Sequence, residues 1–320
     1  MDFEICSPLK TANQPVVQST APISIDVPGR PVALQMRVTA PLIGSELPVV
    51  VFSHGHGPSE HLSSLYGYGP LANWWAALGF CVVQPTHLDS KMLGLREDND
   101  PEAPLYWRSR ATDVSRVLDH LSDIEDTASW LTGRIDPTRV AVAGHSMGGH
   151  TASVLLGTRV TDPVTREVLD LSDPRVRSGV VLSGVGRGGD ALSEVAKRDY
   201  GGFADPDFSS MTAPALVVYG DDDPSSHLSV TGANWHADPF HLAPGPKALL
   251  TLFGAGHGLG GVSGYDAAET TDEDPPRVEI VGRLTAAYLT TQLGIDEAAW
   301  ATAWDWFTTH TPVVGKLEMK

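Results

Sequence analysis

Residues 140–149 read Val140-Ala141-Val142-Ala143-Gly144-His145-Ser146-Met147-Gly148-Gly149, and the reading of this stretch decides the fold. The apolar run Val140 to Ala143 is short and unbroken, as in a strand covered on both faces. The five residues after it match the Gly-x-Ser-x-Gly pattern of a sharp strand-to-helix turn, a nucleophile elbow, with a helix beginning near Ser146. A serine hydroxyl is a poor nucleophile at neutral pH. Such a turn holds it in the open beside a base and aims backbone N–H groups at the oxyanion that forms. A side chain at Gly144 or Gly148 would collide with neighbouring backbone, and Gly149 adds a small residue where the new helix packs on the sheet. The bare pattern also fits ordinary glycine-rich turns. The strand before it and the helix after it make Ser146 the candidate nucleophile.

Outward from this stretch, short apolar runs alternate with amphipathic ones. Strands are predicted at 48–53, 80–84, 139–143, 179–183, 215–219 and 248–253, preceded by an opening strand or hairpin over 23–39 that contains the Pro28-Gly29 turn. Helices are predicted at 71–78, 109–131, 146–156, 276–293 and 296–308. This order implies an α/β class with a mostly parallel central sheet and helices on both faces. Asp136-Pro137-Thr138 reads as a turn that delivers the chain into the elbow strand. Three glycine- or proline-rich stretches, 88–105, 184–211 and 224–246, break the alternation. Each follows the C-terminal end of a predicted strand, the edge where open α/β sheets bind ligands, so these long loops are expected to shape a substrate pocket. Without a linker or an internal repeat, 1–320 reads as a single domain with its core at about 23–294.

With 320 residues and 42% hydrophobic content the chain can bury a large core. Its 22 basic against 39 acidic residues give a formal charge of −17, which repels phosphate backbones and anionic lipid surfaces. Nucleic-acid and membrane partners are therefore disfavoured. No run of about 18 apolar residues occurs that would span a bilayer. Cys6 and Cys81 are too few for a disulfide scaffold and read as free thiols of a reducing compartment, Cys81 within a buried strand. The start, Met1-Asp2-Phe3-Glu4, is acidic where a secretory leader is basic, so a cytoplasmic protein is expected. Oligomeric state is not legible.

A serine nucleophile needs an imidazole base and a carboxylate to orient it, and on this kind of sheet the chain order is Ser, then Asp or Glu, then His. After the strand at 215–219 comes Gly220-Asp221-Asp222-Asp223-Pro224, and after the strand at 248–253 comes Gly254-Ala255-Gly256-His257-Gly258. Of the 12 histidines, His257 alone follows the last core strand and is the expected base. Asp223 is the favoured acid because its place at the end of the turn gives it reach. Asp221 is the alternative, and the remaining aspartates read as solvated turn residues or a helix cap before Pro224. The oxyanion donors are expected to be the backbone N–H of Met147 and that of His56, in the loop Ser53-His54-Gly55-His56-Gly57. His54 and His56 also admit a metal-pair reading that lacks a convincing third ligand. His145 and His150, which flank the elbow, read as structural.

Val49-Val50-Val51-Phe52-Ser53-His54-Gly55-His56-Gly57, then Trp74-Trp75-Ala76-Ala77-Leu78-Gly79-Phe80, then Gly144-His145-Ser146-Met147-Gly148-Gly149, together resemble the α/β-hydrolase superfamily over roughly residues 45 to 290. The branch that looks closest holds platelet-activating-factor acetylhydrolases, dienelactone hydrolases and cutinase-like polyester hydrolases. The resemblance implies the α/β-hydrolase fold and a serine-dependent carboxylic ester hydrolase acting on a small-molecule ester without a cofactor. Polyester, lipid, lactone or carbon–carbon bond hydrolysis on the same triad is the alternative, and a non-catalytic binding protein the remote one. In that branch the position of His56 often carries an aromatic or aliphatic side chain, so histidine is a departure that alters the pocket wall. The branch's secreted polyester hydrolases carry a leader and a disulfide that this chain does not show, which favours intracellular ester hydrolysis.

Three further features have bland readings. Gly256-His257-Gly258-Leu259-Gly260-Gly261 matches a dinucleotide fingerprint but falls late and continues into loop instead of opening a helix. Asp272-Glu273-Asp274 lacks the spaced oxygens of a calcium loop and suits the N-terminus of the following helix. Trp300, Trp304 and Trp306 sit at helical spacing and read as packing. Tyr106, Trp107, Phe203, Phe208, Trp235 and Phe240, in or beside the long loops, are expected to wall a small apolar pocket that favours short acyl esters.

Overall fold

The computed structural model describes residues 15–310 and 313–320, so Cys6 lies outside the described residues. The strands are β1 (Val17–Ile25), β2 (Leu34–Pro41), β3 (Leu47–Ser53), β4 (Cys81–Pro85), β5 (Ile135–His145), β6 (Arg159–Thr161), β7 (Val168–Leu169), β8 (Val176–Leu182), β9 (Pro206–Asp207), β10 (Ala215–Gly220), β11 (Lys247–Leu252) and β12 (Gly315–Met319). The helices are α1 (Gly69–Ala77), α2 (Trp107–Asp119), α3 (Leu121–Thr127), α4 (Met147–Leu155), α5 (Glu194–Asp199), α6 (Asp238–Leu242), α7 (Pro275–Gln292) and α8 (Ala299–His310).

Among the described residues a 9-stranded sheet runs in the order β1-β2-β4-β3-β5-β8-β10-β11-β12. From β4 to β11 its neighbours are parallel, and β1, β2 and β12 join antiparallel at the edges. The chain is thus α/β with a large, mostly parallel sheet. Strand β3 shows why its sequence is continuously apolar. Val49 and Val51 point to the side of α2 and α4, while Val50 and Phe52 point to the side of α1 and α7, so neither face meets water. On the second side Trp75 of α1 is fully buried and donates its indole N–H to Thr285 of α7 at 2.9 Å. Every residue of α4 is buried, which fixes the helix behind the elbow. Cys81 is buried and free in β4, and no helix among the described residues is long and apolar enough to cross a membrane.

Several elements differ from expectation. The helix predicted at 109–131 breaks at His120, whose backbone (φ −114°, ψ 22°) leaves the helical region, giving α2, α3 and a 3₁₀ turn at Ser129–Leu131. The turn predicted at 136–138 is a local register shift inside β5: Pro48 pairs with Asp136, and Val49 with Val140. Asp136 Oδ1 stabilises it by accepting from the Thr138 N–H and hydroxyl. Strand β12 was not expected, since Leu317 is its one buried side chain and the burial pattern gives almost no sequence signal. The loops at 184–211 and 224–246 carry α5, α6 and 3₁₀ turns. Trp300 packs as expected, edge-on to Tyr288 and Trp304.

Candidate active site

Ser146 sits between β5 and α4 with φ 56° and ψ −117°, a conformation that costs a side-chain-bearing residue about 1–3 kcal/mol and persists only where the surroundings enforce it. They do so here by close approach. The Ser146 N–H donates to Leu182 O of β8 at 2.9 Å. A Cβ on Gly148 would be driven into the Ser53 carbonyl, and one on Gly144 into the carbonyl of Gly148. The loop after β3 is pressed against the same residue: a Cβ on Gly55 would lie 3.4 Å from that of Ser146.

Asp223 and His257 follow neighbouring strands whose register runs through Gly220 and Leu252, so their loops leave the sheet side by side. Of the three aspartates, Asp221 and Asp222 are exposed, and Asp221 Oδ1 is taken up by the Gly254 N–H at 2.6 Å. Asp223 turns inward, 1% exposed, with Oδ2 2.7 Å from His257 Nδ1. It also accepts the Ser225 hydroxyl at 2.7 Å on Oδ1, and His236 Nε2 lies 3.1 Å from Oδ2. Burial alone would raise its carboxyl pKa; the contacts from His236 and His257 outweigh it and hold the group well below the usual carboxylate range. The His257 loop is itself anchored, because Asp272 Oδ2 accepts the N–H groups of Gly256 and Gly260 at 2.9 and 3.0 Å. Asp274 caps α7 by accepting the Arg277 N–H.

A buried chain of hydrogen bonds joins the His56 loop to the His257 loop. The Gly55 N–H donates to Tyr68 Oη at 2.9 Å, the Tyr68 hydroxyl meets His145 Nδ1 at 3.0 Å, and His145 Nε2 lies 2.7 Å from the His257 carbonyl. A carbonyl only accepts, so Nε2 carries the proton and Tyr68 donates to Nδ1. Burial lowers the His145 pKa to about 3, which keeps the ring in this neutral form.

His54 and His56 do not converge as a metal pair. His54 Nδ1 donates to Gly55 O at 2.8 Å and its Nε2 accepts the His87 N–H at 3.1 Å. His56 Nδ1 meets Asp89 Oδ2 at 2.7 Å. Asp89 is held from below by Arg110, whose Nε and Nη2 reach its two oxygens at 2.8 and 2.7 Å, both residues being fully buried. Among the described residues, Asp223, His236 and His257 alone bring three ligand-type atoms within 4.8 Å of one another. With Asp223 Oδ2 at hydrogen-bonding distance from both rings, the cluster is a bonded network. Residues 256–261 form turns and open no helix.

Beside Ser146 lies a cavity of about 40 Å³. His56 and Met147 border it, together with Leu105 from the first long loop, Val185, Tyr200 and Phe203 from the second, and His227, Leu228, Trp235 and His236 from the third. Of the aromatics expected to wall it, Phe203 and Trp235 do so. Tyr106 and Trp107, at the start of α2, and Phe208 and Phe240 are buried but do not border it. A larger cavity, about 580 Å³, opens at the opposite edge near Leu47, Pro48 and Arg139 and touches none of the candidate residues.

Sequence reasoning missed Tyr68, Asp89, Arg110, Ser225, His236 and Asp272. Ser225 lies two residues after Asp223 and Asp272 opens the acidic run 272–274, but nothing local marks either for these contacts, and the others act through partners distant in sequence. No known family model matches the chain, and no curated protein was found to match it.

Proposed function

We propose that this chain is a serine-dependent carboxylic ester hydrolase with an α/β-hydrolase fold. The observation that carries the reading is Ser146 in its strained turn on the sheet edge where Asp223 and His257 meet at 2.7 Å. Ser146 Oγ attacks the ester carbonyl while its proton passes to His257 Nε2. Asp223 accepts from Nδ1–H, fixing the tautomer and stabilising the imidazolium. The negative charge that develops on the carbonyl oxygen is taken by the backbone N–H groups of Met147 and His56, and one such donor is typically worth about 3–4 kcal/mol. His257 then protonates the leaving alcohol, and water repeats the cycle on the acyl-enzyme. All the groups required are side chains and amides of the chain itself, so the reading needs no cofactor.

The substrate class follows from space. The cavity beside Ser146 is small, about 40 Å³, and is bordered by Leu105, Phe203 and Trp235. Long acyl chains would have to displace side chains such as Leu105 or Phe203 at the cost of overpacking. Short acyl esters, about two to six carbons, are the proposed substrates. The test is turnover of p-nitrophenyl esters of increasing acyl length by wild type and by Ser146→Ala. Hydrolysis that survives the substitution would overturn the reading.

A further inference from the structure

Asp223 touches two imidazoles, and the mechanism above uses one. His236 lies in the 3₁₀ turn Ala233–Ala237, fully buried, its ring centroid 5.5 Å from that of His257. Its protons can be counted. Nδ1 is 2.6 Å from the Gly184 carbonyl oxygen, which only accepts, so Nδ1 carries a proton. Nε2 is 3.1 Å from Asp223 Oδ2 and 3.1 Å from Ser225 Oγ. The Ser225 hydroxyl has a single proton and lies 2.7 Å from Asp223 Oδ1.

Two arrangements fit these contacts. In one, Ser225 donates to Asp223 and Nε2 is protonated too, so that an imidazolium faces a carboxylate. In the other, Ser225 gives its proton to a bare Nε2. That choice strips Oδ1 of its donor and sets a nitrogen lone pair against an anionic oxygen in a water-poor site, where unmade hydrogen bonds are costly.

We propose that His236 is held as an imidazolium and is a positioning residue for the base, donating from Nδ1 to Gly184 and from Nε2 to the Asp223 carboxylate that orients His257. The groups around it are accounted for. Asp223 and Ser225 face it from the loop after β10, His257 from the loop after β11 and the Gly184 carbonyl from the loop after β8. His227 and His145 are the other imidazoles within electrostatic reach. Asp238, the nearest carboxylate along the chain, is turned to the Arg187 N–H at 3.0 Å.

The charge has a consequence for catalysis, which rests on the ester-hydrolase reading. A cation on the far side of Asp223 opposes the build-up of a second positive charge in the same cluster. Removing that cation is expected to move the acidic limb of the kcat/KM profile upward.

Two measurements test the proposal. The first needs no substrate: long-range ¹H–¹⁵N spectra of histidine-labelled protein at pH 7, with His236 assigned by its loss in His236→Gln. Protons on both ring nitrogens are expected, and a bare Nε2 overturns the proposal. The second compares pH profiles of wild type, His236→Asn and His236→Gln. Asn keeps a donor towards Gly184 and loses the one on Asp223, whereas Gln offers Asp223 a donor that does not titrate. Asn is expected to lower kcat about 10-fold with KM little changed, Gln to recover most of that loss, and both to raise the acidic limb. Equal losses with an unmoved limb would reduce His236 to packing and overturn its positioning role. Protonated nitrogens in a protein that turns over no ester would sink the hydrolase reading while upholding the charged pair.

Discussion

Tyr68→Phe removes one oxygen atom and cuts the hydrogen-bond chain between the two loops of the site. The ring itself stays packed, 4.7 Å from Phe52 and 5.7 Å from His145 between centroids, so no cavity is added. What changes is hydrogen bonding: the Gly55 N–H and His145 Nδ1 are left buried without their partner. An orphaned buried group costs about 1–3 kcal/mol, and the lost hydroxyl no longer has to be desolvated, which puts the net loss at about 2–4 kcal/mol. Against a typical domain stability of about 5–15 kcal/mol this is large. Urea unfolding should show a lower midpoint with an unchanged slope. Because the same chain tethers the loops of His56 and His257, kcat/KM for a short ester should fall about 10-fold. Tyr66→Phe, at an exposed tyrosine, is the control. A stability loss below about 0.5 kcal/mol with unchanged activity would show that the chain has no energetic role.

Acid should unfold the protein early. His54, His87, His145 and His150 are fully buried and burial lowers all their pKa values, to about 3 for His145 and about 4 for His150. Their stabilising neutral forms are intact above the unfolded pKa of 6.5 and are lost as pH falls towards the folded values. Each histidine takes up to about 1.4 kcal/mol per pH unit, so urea midpoints should drop steeply between pH 6.5 and 4; a flat profile there refutes the burial argument. Asp223→Asn should cost about 10⁴ in turnover, whereas Asp221→Asn and Asp222→Asn should cost little; a crippling Asp221→Asn would reverse the assignment. Butyrate esters should show higher kcat/KM than palmitate esters below their aggregation limits, and equal use of palmitate would mean an open cleft.

How far the chain could be read depended on how local each signal is. The buried runs of β3, β5, β10 and β11 and the glycines around Ser146 carry their constraints within a few residues, so the α/β class and the elbow were legible. The choice among Asp221, Asp222 and Asp223 was not, because it depends on which carbonyl and amide of the neighbouring β11 loop the turn meets. His236 reaches Asp223 across thirteen residues of irregular loop, and Arg110 reaches Asp89 from a helix whose buried face also carries Ala111, Val114 and Val117. Such pairs leave no periodic trace. The expected aromatic wall shrank for a related reason: composition shows that a loop has bulky side chains but not which way they turn.

The central claim is that Ser146 is the nucleophile. Intact-mass and peptide mass spectrometry after treatment with a serine-directed alkyl phosphonate tests it most directly. The account predicts one covalent addition, located on Ser146, blocked by a short-acyl ester and absent in a folded Ser146→Ala protein. Addition at another serine, such as Ser183 or Ser225, or ester turnover that persists in Ser146→Ala, would contradict it.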